Sequence, residues 1–558
     1  MLRKRSHLVA ALTLVSCGSG ADYAAGDFSP ASDAGAGTAQ CFSSSECPVG
    51  FVCTEFGTCA SPPAPLGDGG TTETPEVEYK LSEPVSSRRF VWVAMTEQDR
   101  LAKIDGANLE VVSFEVGDRP AVLASLPGTD TAVVLDSTNG AATVVSADTG
   151  SIASTLYPTL PNLNRLAVAP GGRYAVAFFD LAKAIADAGS LSAVGEIGSF
   201  QDVTVLAVGP GSQRSVDLTV GFRPREIETD AAGRYAFVVT DDGISVIDLP
   251  AMTAGGPTIV PPIPITENLF GDTTGLEVDV VASGQYAVVR APGVAKLRVV
   301  SLLGSTAGDA FEIALPAVPT DIDLAPDGTR VYAAYRNPAG LSVIDIPAGS
   351  VTNVDLADAT GGSLVVSADG ARGLLFTNAT LDERITIIEL DRPGFPHRTF
   401  PLQKGVLSVG FDPTGTKAII LHARKAGDPN QATSLDEYID KKPGYSSLDI
   451  ASGFSKLQIT EVSPKQFAFA ADAPRAYVTL DGGDAEGAFA AVQQIELNSG
   501  VVRTIELGAP PAAIGILPDS NHVFVSQRHP LGRVSFIHTT TGQVRTLTGF
   551  DLNSQIID

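Results

Sequence analysis

The sequence predicts an all-β chain: one large β-propeller of about eight to ten four-stranded blades, preceded by an export signal and a short disulfide-stapled module. Three observations carry this expectation. A strand-turn-strand phrase returns every 42 to 61 residues, the composition favours turns and apolar strands, and all five cysteines fall within the first 59 of 558 positions.

The clearest copy of the phrase is Pro319-Thr-Asp-Ile-Asp-Leu-Ala-Pro326-Asp327-Gly328-Thr-Arg-Val-Tyr-Ala-Ala-Tyr335, followed by Leu341-Ser-Val-Ile-Asp345. Apolar residues at alternate positions mark strands, and Asp-Gly between two such runs is a hairpin signal. Gly128, Gly172, Gly233, Gly284, Gly370 and Gly415 occupy the same slot, and the turn survives as Asp472-Ala-Pro and Pro518-Asp-Ser. Four strands with their turns need roughly 40–45 residues, the length of a propeller blade. Counting gives nine units. A tenth is shared between the termini: the unit with Phe90–Met95 and Leu101–Asp105 lacks an opening strand, which the final run 550–558 is placed to supply. Two smaller propellers or an irregular ring are the competing topologies.

The wording of the phrase resembles the YVTN-type repeats of bacterial and archaeal surface proteins, over residues 88–558. That resemblance implies a propeller and leaves function open, because such families include surface-layer proteins, lactonases and redox enzymes.

Met1–Ser16 reads as an export signal: Arg3, Lys4 and Arg5 precede an apolar stretch of eight residues, Leu8–Val15. A bilayer-spanning helix needs about 20 apolar residues, so the segment is a signal rather than a permanent span. It ends in Leu14-Val15-Ser16-Cys17, which resembles the lipobox of bacterial lipoproteins. The resemblance implies cleavage before Cys17 and acylation of that cysteine, with several chains at about 0.8 kcal/mol per buried CH₂ making a stable anchor. Gly18, where an Asp would imply inner-membrane retention, points to the outer membrane. Residues 17–40 are small and polar and form a tether.

Cys41, Cys47, Cys53 and Cys59 then follow at a strict interval of six. Such a short segment buries no core, so two disulfides are the expected staple in an oxidising compartment. The even spacing does not match the close C-x₂₋₄-C pairs of structural zinc. Three connectivities are open. The pattern resembles small Dickkopf-type cysteine-rich modules of secreted myxobacterial proteins. Residues 60–87 form a Pro/Gly linker to the propeller at 88–558.

Charged residues are only 18% of the chain, and Gly and Pro together supply 93 positions. The net charge of −25 excludes a phosphate-binding basic surface. The folded body is equally unsuited to an anionic membrane, so the membrane is reached through the anchor alone.

Candidate chemistry is sparse. His397, His422, His522, His529 and His538 show no metal-binding grouping, and no G-x-S-x-G elbow is present. Strand-end acids such as Asp136, Asp180, Asp241 and Asp345 are the candidates for a channel site with a divalent metal. Asp481, Asp484 and Glu486 lack the EF-hand spacing. No cofactor is implied. Two insertions interrupt the repeat. The first, 181–200, includes a stretch of helical character. The second, 422–445, gathers Arg424, Lys425, Tyr438, Lys441, Lys442 and Tyr445 in a chain otherwise short of base and aromatic. Long loops on a rigid scaffold are where binding surfaces concentrate. The leading expectation is a displayed interaction module for a protein or polysaccharide; a lactonase-like hydrolase and a surface-coat protein are the alternatives.

Overall fold

A computed structural model of the chain describes residues 85–549, apart from 137–138, 148–151, 196, 210–212, 268–274, 347, 357–358, 484, 486 and 530. It also describes the two-residue strands Val52–Cys53, Cys59–Ala60 and Gln555–Ile556. The signal, Cys17, Cys41, Cys47 and most of both linkers lie outside the described residues. Of the cysteine-rich module, Val52–Cys53 pairs antiparallel with Cys59–Ala60, setting Cys53 opposite Cys59.

Ten four-stranded sheets follow one another along the body. Blade 6 shows the pattern: Asp321–Leu324 is the inner strand, then Arg330–Tyr335, Gly340–Asp345 and the outer Ser350–Asp355. Each strand is antiparallel to the one before it. The middle strands are buried on both faces, as the runs in 330–335 and 340–345 show, because a neighbouring blade packs on each side. Only the outer strand shows an open face. Strict alternation, expected from the phrase, therefore gives way to continuous apolar runs in the second and third strands.

One apolar cluster fills each gap between neighbouring blades. Val288 and Val299 of blade 5 meet Ile322, Val331 and Ile344 of blade 6, and Ile420 of blade 8 meets Leu374 and Ile387 of blade 7. The tenth cluster joins the ends: Leu517, Phe524 and Phe536 of blade 10 pack on Val91, Val93 and Ile104 of blade 1. The ring is thus a single closed propeller of ten blades, and the two-propeller topology is set aside.

Closure differs from the expectation in one respect. Blade 1 has an opening residue of its own, for Ser86 bridges Val91 on the inner side and Trp92 N–H donates to the Val85 carbonyl. The terminal Gln555–Ile556 pairs instead on the outer edge, parallel to Val111–Glu115.

The Pro-Asp-Gly turns lie at one end of the blades, which we call the turn face. Their glycines adopt positive φ, +70° at Gly328 and +65° at Gly233. At Gly233 a Cβ would overlap the Pro170 carbonyl oxygen, and at Gly328 it would lie 2.8 Å from the Ala282 nitrogen. These turns therefore nest on the turn of the preceding blade. On the same face a base opening the second strand pairs with the acid that ends the third, as in Arg89–Asp105, Arg234–Asp248 and Lys417–Asp449.

The opposite end, the loop face, carries the links from second to third strand and from each outer strand to the next blade. Both insertions lie there. Among the described residues three α-helices interrupt the strands: α1 (Leu181–Ala188) in the first insertion, α2 (Leu249–Thr253) after the third strand of blade 4, and α3 (Leu435–Lys441) in the second insertion. Among the described residues no helix is long and apolar enough to cross a membrane.

Candidate interaction surface

The second insertion is an ordered hairpin on blade 8, and its order has a local cause. Ser434 caps α3 by accepting from Glu437 N–H, and the Glu437 carboxylate reaches back to Thr433 N–H at 2.7 Å. The Lys441 ammonium and the Thr433 donors hold the Glu437 carboxyl down at about 2. At the other end, Lys404 supplies the partner that helix C-termini lack. Its Nζ donates to the carbonyls of Ile439 at 2.7 Å and Asp440 at 2.9 Å. Lys404 is 0% exposed. Burial lowers its pKa to about 8, against the opposing pull of Asp440 and Glu383.

The nominated residues separate under this geometry. Arg424 donates to the Lys441 carbonyl at 2.8 Å, and Lys425 pairs with Asp440 at 2.6 Å. Lys441 pairs with Glu437 and Lys442 with Glu461. Lys442 Nζ also sits 5.9 Å from the centre of the Tyr438 ring. The insertion thus offers base engaged within the chain rather than an open basic patch. Tyr438 lies at the surface, as does Leu435, which is 71% exposed and was not singled out in the sequence. Tyr445 is not on the loop. It lies in the third strand of blade 8, 1% exposed, with its hydroxyl donating to Gln493 of blade 9 and its pKa raised by burial. The run Ser447-Leu-Asp449-Ile, a copy of the Val-Ile-Asp phrase, marked it as strand.

The remaining candidates do not converge. Asp136, Asp180 and Asp241 end second strands at the loop face, whereas Asp345 ends a third strand at the turn face. Asp180 pairs with Arg165 at 2.9 Å and caps α1, and Asp241 pairs with Arg223 at 2.6 Å. Asp481 pairs with Arg528; Asp484 and Glu486 lie outside the described residues. His422 is buried at the loop-face end of blade 8, bonded to the Gly405 carbonyl and to Ser446, and burial lowers its pKa to about 4. Ser446 is itself 0% exposed, so this Ser–His pair has no access to a substrate. His522 and His538 face each other across blade 10 at the turn face, with ring centres 5.0 Å apart.

Sequence reasoning missed the acids of the inner strands in blades 4 and 6. Glu228 accepts from Val280 N–H at 3.0 Å, and Asp321 from Leu364 N–H at 2.9 Å, each in the next blade. They satisfy donors on strands whose inner edge has no neighbouring strand. Among the described residues no three His, Cys, Asp or Glu side chains gather as a metal-binding set.

No family model matches the sequence, and no curated protein does. Several solved structures share part of its course. One is titled dihydro-heme d1 dehydrogenase NirN in complex with DHE, at 13% identity over 76% of this chain and 74% of that one, with a TM-score of 0.42. The Kuenenia stuttgartiensis hydrazine synthase matches at 17% identity over 50% and 80%, with a TM-score of 0.32. A eukaryotic initiation factor matches at 11% identity over 75% and 98%, with a TM-score of 0.45. Likeness at this level carries no argument about activity or partner.

Proposed function

We propose that this chain is an exported, lipid-anchored propeller of the outer membrane that presents its loop face to a protein or polysaccharide partner. The observation that carries the reading is the blade 8 insertion. A buried lysine is committed to holding its helix, and what the helix then offers to solvent is Leu435 and Tyr438 together with Asp436. Fixing a loop lowers the ordering cost of binding, which is the physical value of such an anchor in a recognition surface. The signal-like Met1–Ser16, the lipobox-like Cys17 and the long polar approach to the body support display at a membrane.

The test is made on the full chain in a Gram-negative envelope. Labelled palmitate is expected on the protein and lost in Cys17→Ala. A benzophenone amino acid at position 435 is expected to give discrete adducts that the same group at position 454, on the turn face, does not give. An unlabelled, freely soluble product overturns the anchor, and equal adducts at both positions overturn the loop-face contact.

A further inference from the structure

Exposed large apolar side chains are distributed unevenly between the two faces of the ring. Nine stand on loop-face connections, among them Leu381, Leu435, Tyr438, Phe489 and Leu531. On turn-face connections only Ile259 and Phe454 do so among the described residues, and the others, Leu156, Phe311 and Val501, lie along outer strands. Single exposed apolar residues are ordinary; a concentration on one face marks a contact surface.

Five of the nine fall on four consecutive blades that are linked to one another. Leu381 of blade 7 lies against Gly405, the neighbour of Lys404, which holds α3 with Leu435 and Tyr438. Lys442, after α3, pairs with Glu461 at 2.9 Å, and the adjoining Val462 lies against Gly482, whose N–H donates to the Phe489 carbonyl. Arg528 of blade 10, three residues before Leu531, pairs with Asp481 of blade 9 at 3.0 Å. These cross-blade links fix the apolar tips relative to one another before any partner arrives.

We propose that the loop face of blades 7 to 10 docks a protein surface that is apolar at the contact and basic overall. The proposal rests on the interaction reading above and narrows it to one partner chemistry. Two terms decide that chemistry. At the contact, Lys425, Lys441, Lys442 and Arg528 are paired with acids of the chain and Arg424 is held on the Lys441 carbonyl, so the bases are engaged within the chain, and beside the apolar side chains α3 exposes the acid Asp436. At long range the chain carries a net charge of −25, which attracts a positively charged partner and repels an acidic polysaccharide or a second copy of itself.

The experiment uses the whole chain and three designed helical peptides of about 18 residues, about 27 Å long as helices. One has a Leu face and a Lys face, one replaces Leu by Ser at the same charge, and one replaces Lys by Glu. The Leu/Lys peptide is expected to bind at least about tenfold tighter than either control. Its binding should fall about tenfold in a Leu381→Ser, Leu435→Ser, Phe489→Ser variant and stay unchanged in a Phe311→Ser, Phe454→Ser variant, with both variants melting like the parent. Equal binding of the Ser/Lys or Leu/Glu peptide overturns the proposal, as does equal loss in the two variants. Adducts at position 435 that persist while the Leu/Lys peptide fails refute the partner chemistry alone; absence of both refutes the docking function with it.

Discussion

The ammonium of Lys404 lies 2.7 Å from the carbonyl oxygen of Ile439, joining the connection between blades 7 and 8 to the end of α3. Replacing it by Met keeps the stem and removes the donors. Amide exchange over 423–443 is expected to accelerate strongly in Lys404→Met while the strands of blade 8 keep their protection. Unchanged exchange in the insertion would show that the lysine does not hold it.

The same lysine gives stability a distinct pH dependence. Its pKa is lowered from 10.5 to about 8 by burial. Between those values the unfolded chain binds a proton that the folded chain has released, so this group makes stability rise with pH across the window. Urea unfolding at pH 7.5, 9 and 10 should show a smaller rise in Lys404→Met than in the parent, the difference isolating Lys404 from buried tyrosines that titrate higher.

His422 acts through the same sign at lower pH. With its pKa lowered from 6.5 to about 4 by burial, the unfolded state takes up a proton that the folded state refuses, and stability is lost as pH falls from 6.5 towards 4. Nitrogen chemical shifts should report a neutral His422 ring at pH 5. A charged ring at that pH in the folded protein would contradict the burial.

Two glycines separate backbone strain from crowding. Gly128→Ala meets nothing within 4 Å, so only its φ of +76° is strained, at about 1–2 kcal/mol. Gly233→Ala adds overlap with Pro170 and should cost clearly more. Equal losses in urea unfolding would mean that the turns do not nest.

Peptide mapping of the oxidised protein is expected to find Cys53 joined to Cys59. Directly opposed residues of an antiparallel pair lie about 4.5–5.5 Å apart at Cα, within disulfide reach. A Cys47–Cys53 link would refute that pairing.

The body was legible wherever a constraint is local. Gly233 and Gly328 announce their turns because positive φ excludes most other residues, and Ile344-Asp345 announces the end of a third strand. Contacts between distant positions left no such mark. Lys425 reads as free base until α3 brings Asp440 beside it, and Lys404, in a plain Gln-Lys-Gly loop, shows no sign of burial. Asp321 carries no mark of its role in the repeat phrase, because its partner, Leu364 N–H, lies 43 residues on. Tyr445 was misplaced because it adjoins the insertion, although the repeat itself assigned it to a strand.

A stack of repeats normally ends in special capping units, since its first and last members each expose one sticky side. A ring that packs blade 10 on blade 1 has no such ends, and the ordinary repeat can serve at every position. The burden moves to the final seam. There Arg88 and Asp519 meet across 431 residues of chain, whereas other neighbouring blades are consecutive in sequence. Synthesis delivers blade 10 last, so nine blades wait with two unsatisfied flanks until it is made. That seam is the fastening of the ring, the one joint whose two sides come from opposite ends of the propeller's chain.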